Sequence, residues 1–201
     1  MIDIIDDFFE NPHEIREIGL SLIENKSDCI LNDDCIYYPG VRTNCSSEIT
    51  NYIKNTIEIR LNKKITNILS SFHITSNIHS CGLIHHDPAD YAALIYLNLN
   101  PPEHSGTAFY NISSGEFAPD AQNYNKSTTT KNIEEIESFT SYKKNYNQKY
   151  FDVHRIVDNQ FNRFVLYSGR QYHAPQNYFG NNLFNSRLII ISAWDSLQAV
   201  H

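Results

Sequence analysis

Near residue 70 the apolar pattern of this 201-residue chain changes period. Before that point apolar residues recur every three or four positions. After it they come in short β-branched and aromatic runs broken by Pro, Gly and Asn. A helix repeats its face every 3.6 residues and a strand every 2, so neither half can adopt the backbone of the other. Asn11-Pro12 supplies a cap residue and a first helical position, and Ile15, Ile18 and Leu22 keep helical spacing to about Glu24. Gly19 weakens that run by about 1 kcal/mol relative to Ala. A second helix begins at Ser46 or Ser47, with Ile49, Ile53, Ile57 and Leu61 on one face. Residues 25–44, with two cysteines and the turn signal Tyr38-Pro39-Gly40, read as mostly loop.

A short strand is expected at Ile2–Ile5, and strands take over near Phe72 and Ile74. Further strands are expected at 91–99, 105–110, 150–157, 163–167 and 187–194. Residues 112–147 are polar and rich in Ser, Thr and Asn, and read as a long surface insertion with one short helix, placed to cover a pocket. Helices followed by about eight strands make a mainly β, α+β chain with a sandwich or jelly-roll core and the helices outside one sheet. The length suits a single domain spanning 1–201.

Composition narrows the function. Sixteen basic against 23 acidic residues give a net charge of −7, which disfavours nucleic acid as a partner, because that affinity rests on Lys and Arg neutralising phosphates. No run of about 18 apolar residues predicts a membrane span. The acidic start, Asp3, Asp6 and Asp7, is unlike a secretory signal. Cys29, Cys35, Cys45 and Cys81 show no C-x-x-C spacing, so free thiols and a cytoplasmic location are expected. Oligomeric state is not encoded in any pattern visible here.

The chemistry concentrates in two places. In an extended segment residues two apart face the same way, so His85 and Asp87 converge while His86 points elsewhere. Pro88 and Asp90 make a turn directly behind them. His173 follows a strand much later and can close a triad. Two imidazoles and one carboxylate on one face of Fe(II) leave positions open for other ligands. Arg187 heads the apolar strand Leu188-Ile189-Ile190-Ile191. Buried there it requires an anion, and guanidinium matches carboxylate with two parallel hydrogen bonds. His79, His86 and His104 read as surface or supporting groups, and His13, His73, His154 and His201 as uninvolved. Arg42 reads as a surface residue that could face the site.

The order HHDPADYAALIYLN, SGTAFY, NRFVLYSGRQYHAP and SRLIIISAW resembles the 2-oxoglutarate- and Fe(II)-dependent dioxygenases, in particular the prolyl-4-hydroxylase-like branch. DDFFENPHEIRE and YPGVRT look like N-terminal pieces of small bacterial and phage members. Residues 112–147 lie outside the likeness. The resemblance implies a double-stranded β-helix (jelly-roll) core, with Fe(II) held by His85, Asp87 and His173. It implies that Arg187 and Tyr96 bind the distal carboxylate of 2-oxoglutarate. It further implies hydroxylation of an amino acid, a peptide or protein side chain, or a small metabolite, using O₂ and releasing succinate and CO₂. Asp87 favours hydroxylation over halogenation, where a small residue makes room for halide. His173 and Arg187 stand 14 positions apart, more than is usual in prolyl hydroxylases, which leaves Arg170 as a rival carboxylate binder. The alternatives are a cupin-like metal enzyme that does not use 2-oxoglutarate and a non-catalytic jelly-roll binding module.

Overall fold

The computed structural model describes residues 2–25, 40–78, 82–113, 141 and 144–195. In chain order the elements are β1 (Ile2–Ile5), α1 (Pro12–Glu24), β2 (Val41–Asn44), α2 (Ser47–Leu61), β3 (Leu69–Thr75), β4 (Tyr91–Tyr96), β5 (Thr107–Ile112), β6 (Phe151–Val157), β7 (Phe164–Ser168), β8 (Tyr172–Pro175) and β9 (Arg187–Trp194). They form a six-stranded sheet, β1-β7-β4-β9-β3-β2, and a three-stranded sheet, β6-β5-β8, with every pairing antiparallel. The expected mainly β architecture is therefore present. Among the described residues no helix is long and apolar enough to cross a membrane.

Strand periodicity splits the large sheet into two working faces. Phe72, Ile74, Ala93, Ile95, Phe164, Leu166, Leu188 and Ile190 pack with Leu20, Ile23, Ile49, Ile53 and Ile57 of the helices. Each of the Leu, Ile and Phe side chains contributes about 1.5–3 kcal/mol on burial. The intervening residues, Leu94, Tyr96, Val165, Tyr167 and Ile189, face Phe109 and Val157 of the small sheet. The helices thus close one face and leave the other for the site. Gly19 owes its place to this packing, since a Cβ there would stand 2.5 Å from the Phe72 ring. Ser46 caps α2 by accepting from the Ile49 amide, whereas Asn11 caps α1 without a side-chain bond.

Two stretches differ from expectation. Residues 41–44 form β2, paired in register with β3 from Val41↔Ile74 to Asn44↔Ser71. Four residues are too few for alternation to register in the sequence, and the neighbouring strand supplies the order. β8 is equally short, ends in Pro175 and pairs with β5. At the end of the expected insertion, residues 144–150 are helical. Tyr146 is buried there with Leu83, Ile84 and Phe151. Most of that insertion, 114–140, lies outside the described residues, as does most of the expected 25–44 loop.

The long connection from β8 to β9 is closed by its own asparagines. Asn185 Oδ1 accepts from the amides of Asn181 and Asn182, and Asn182 Oδ1 accepts from those of Phe184 and Asn185. Gly180 sits at φ +80° and its carbonyl accepts from the Asn77 amide. The loop is an internally bonded plug that delivers Arg187 to the start of β9.

Candidate metal centre

His85 and His173 are joined through the backbone. Each amide donates to the other's carbonyl, at 3.1 and 2.9 Å, an isolated antiparallel bridge on the free edge of β8. The Asp87 amide donates to Gly169 O at 2.8 Å in the turn between β7 and β8. Upstream, Asn147 grips the same segment from the 144–150 helix. Its Oδ1 accepts from the Ile84 amide and its Nδ2 donates to Gly82 O, both at 3.0 Å. The HHD segment is thereby fixed on both sides before any ligand arrives.

The side chains converge as the period-two argument requires. Ligand atoms of His85, Asp87 and His173 all lie within 4.8 Å of one another. Asp87 places Oδ1 3.8 Å from His85 Nε2 and Oδ2 3.6 Å from His173 Nε2. Both imidazoles are oriented by carbonyls: His85 Nδ1 lies 2.8 Å from Leu83 O and His173 Nδ1 2.9 Å from Gln171 O. Those nitrogens carry the protons, which leaves both Nε2 lone pairs aimed at the Asp87 carboxylate. Burial, then the neighbouring His85, pushes His173 down to about 4, so it is neutral at pH 7 and has no proton to displace. Two imidazoles and a carboxyl side chain on one side of an opening fit a divalent transition metal with free positions. His86 contributes nothing to the cluster; its ring edge meets Tyr172 at 5.4 Å.

The triad opens into a cavity of about 270 Å³ whose lining includes Arg42, His73, Thr107, Tyr167, Tyr178 and Arg187. Arg187 is 2% exposed. Its Nε reaches Ser105 O at a long 3.4 Å, and its guanidinium lies 5.7 Å from the centre of the Tyr96 ring. No carboxylate among the described residues pairs with it, so the cavity holds a buried cation that lacks its anion. Arg170 is different: exposed, outside the cavity lining and 4.0 Å from Asp90. Tyr96 is fully buried behind the wall and donates to Thr107 Oγ1 at 2.7 Å. Thr107, which lines the cavity, then has its own proton to give. Burial raises Tyr96 and carries Tyr167 well above the usual phenol range, so both remain donors.

Thr107 and Tyr167 line the cavity although the sequence reading did not single them out, and His73, expected to be uninvolved, lines it too. His73 is 6% exposed and lies opposite Arg42 across β2 and β3. The signal was available: Phe72 and Ile74 belong to the helix-facing side, so His73 must face the other way. The same alternation in Phe164-Val165-Leu166-Tyr167 turns Tyr167 toward the cavity. His104 is exposed and sits at φ +57° in a turn. His79 and His201 lie outside the described residues.

Solved structures share this architecture. A Pseudomonas putida prolyl-4-hydroxylase aligns over 96% of this chain and 91% of its own, with a TM-score of 0.57 and 10% identity. A prolyl hydroxylase from Trichoplax adhaerens, solved with a peptide fragment of the hypoxia inducible factor oxygen degradation domain, covers 96% of this chain and 83% of its own. There the TM-score is 0.54 and the identity 12%. At such identities the likeness is one of fold. Fold and donor set together define a prolyl-hydroxylase-like β domain with a candidate His-Asp-His metal centre. The chain belongs to a family of unknown function (DUF6445), whose profile matches residues 69–177. That match runs from β3 to just past β8 and through the polar 112–147 segment. No curated protein matches the chain.

Proposed function

We propose that this chain is an Fe(II)- and 2-oxoglutarate-dependent dioxygenase that hydroxylates a small-molecule or peptide substrate, built on a double-stranded β-helix. One observation carries the reading: a metal-ligand triad and an unpaired buried guanidinium share one cavity. His85, Asp87 and His173 would hold the metal, and Arg187, with the Thr107 hydroxyl beside it, would take the distal carboxylate of the keto acid. Tyr96 acts by orienting Thr107, one step further from the ligand than the sequence resemblance implied. Iron and keto acid, when bound, supply oxygen activation, with succinate and CO₂ released and a substrate C–H converted to C–OH.

The chain's own part is orientation and exclusion. Asn147, through Gly82 O and the Ile84 amide, fixes the metal-binding segment, Gln171 and Leu83 carbonyls hold the imidazole tautomers, and Leu94, Ile189 and Ile191 keep the cavity wall apolar. A low-dielectric wall strengthens the pairing of Arg187 with an anion. Anaerobic addition of Fe(II) and 2-oxoglutarate should give the weak visible charge-transfer band of a chelated keto acid. Folded, metal-loaded protein without that band would overturn the reading.

A further inference from the structure

Tyr167 presents a problem that metal binding makes acute. Its side chain is 1% exposed and its ring packs edge-on against Phe109 at 5.1 Å. Its hydroxyl lines the cavity, and the partner it has is His173 Nε2 at 3.2 Å. The Nδ1 proton of His173 faces Gln171 O, so Nε2 is the acceptor and Tyr167 the donor. A metal held by the triad needs that same lone pair. One lone pair cannot serve both, and leaving a buried hydroxyl without an acceptor is unfavourable. The hydroxyl must therefore turn to another oxygen within reach of the metal position.

We propose that Tyr167 is a positioning residue for the metal's exogenous ligand: on metal loading its hydrogen bond passes from His173 Nε2 to an oxygen of the metal-bound end of the keto acid. The inference rests on the dioxygenase reading and deepens it. Two consequences follow. Tyr167 opposes the metal slightly when no ligand is present, and it supports the ligand once the metal is in place. Metal and keto acid are thus coupled through one hydroxyl, and linkage makes the coupling reciprocal. Arg187 holds the far end of the same ligand, so the two residues act on opposite ends of it.

The test is Tyr167→Phe, which removes one oxygen atom and keeps the ring that packs on Phe109. Calorimetric titrations with Co(II) alone should show affinity equal to or up to a few-fold tighter than wild type. Titration of the Co(II)-loaded protein with 2-oxoglutarate should show about tenfold weaker binding, the loss of one hydrogen bond to a charged acceptor. The factor by which 2-oxoglutarate tightens Co(II) should fall equally. Weaker Co(II) binding in the variant would overturn the proposal by showing that the hydroxyl supports Asp87 instead, and unchanged 2-oxoglutarate affinity would overturn it by making the hydroxyl a bystander. Oxalate separates this proposal from the co-substrate reading, because it offers two oxygens to the metal and nothing to reach Arg187. If wild type binds oxalate but not 2-oxoglutarate, the co-substrate reading fails. Tyr167 stands in that case if Tyr167→Phe weakens oxalate, and falls if it does not.

Discussion

Arg187→Met should move two quantities in opposite directions. The side chain is 2% exposed and its Nε makes one long bond of 3.4 Å to Ser105 O. In the ligand-free protein the charge is desolvated without a carboxylate in return, and replacing such a group by an apolar chain of similar volume is often neutral or stabilising, by about 1–4 kcal/mol. The melting temperature of the free variant should hold or rise. In the ligand-bound protein the same substitution strands a carboxylate, which costs about 2–5 kcal/mol, or roughly 30-fold to several thousandfold in affinity for 2-oxoglutarate. For metal-loaded wild type at a hundredfold excess over Kd, ligand stabilisation is about 2.7 kcal/mol, equivalent to about 5–10 °C for a chain of this size. Differential scanning fluorimetry with a redox-inert divalent metal, with and without 2-oxoglutarate, reads both effects. The variant should lose the ligand shift and keep its metal shift. A variant that melts several degrees lower on its own yet retains the ligand shift would show that Arg187 is structural, and the anion argument would be wrong.

His85→Ala or Asp87→Ala should abolish tight metal binding by equilibrium dialysis while His86→Ala leaves it intact; equal loss in the His86 variant would mean the ligand assignment is out of register. Gly169→Ala would drive a Cβ into the Ala89 carbonyl, close to the Asp87 side chain. It should cost about 1–3 kcal/mol of stability, the usual range for overpacking, and weaken metal binding by moving the 87–90 turn. Asn147→Ala leaves the buried Ile84 amide without its acceptor and should cost about 1–3 kcal/mol in denaturant melts, with a larger effect on metal affinity than an exposed Asn elsewhere on the molecule. Burial pushes the Cys45 thiol up to about 12. At pH 8 its alkylation should run roughly a thousandfold slower than that of an ordinary thiol until the protein unfolds, measured in a variant lacking Cys29, Cys35 and Cys81.

The parts of this molecule that could be read from the sequence are those governed by one local rule. α1 and α2 follow from spacing and cap residues, and both end within a residue or so of the expected positions. β9 was legible because the run Leu188-Ile189-Ile190-Ile191, with three consecutive β-branched residues, favours a buried strand, and His85 and Asp87 because a period of two converts directly into a shared face. What escaped depends on partners distant in the chain. β2 and β8 have four residues each and owe their order to β3 and β5. Tyr96 was recognised by its place in a strand, but its hydroxyl is committed to Thr107, a residue eleven positions away across the sheets. The proposed metal ligands lie outside the 112–147 segment, yet Asn147 at its end holds the backbone just ahead of His85. No sequence pattern announces an asparagine that bonds to one particular stretch of main chain 63 residues earlier.

The two ends of the cavity belong to different sheets. His173 lies on β8, His85 is bridged to it, and Asp87 hangs from the turn that leads into it, whereas Arg187 begins a central strand of the large sheet. Between them the sheets meet through a thin apolar seam around Phe109 and Val157. A molecule gripped by a metal at one end and by Arg187 at the other would work as a tie rod across that seam. Its mechanical effect should then travel further than its contacts: amide exchange in β5 and β6 should slow on loading the site, although of these strands only Thr107 touches the cavity.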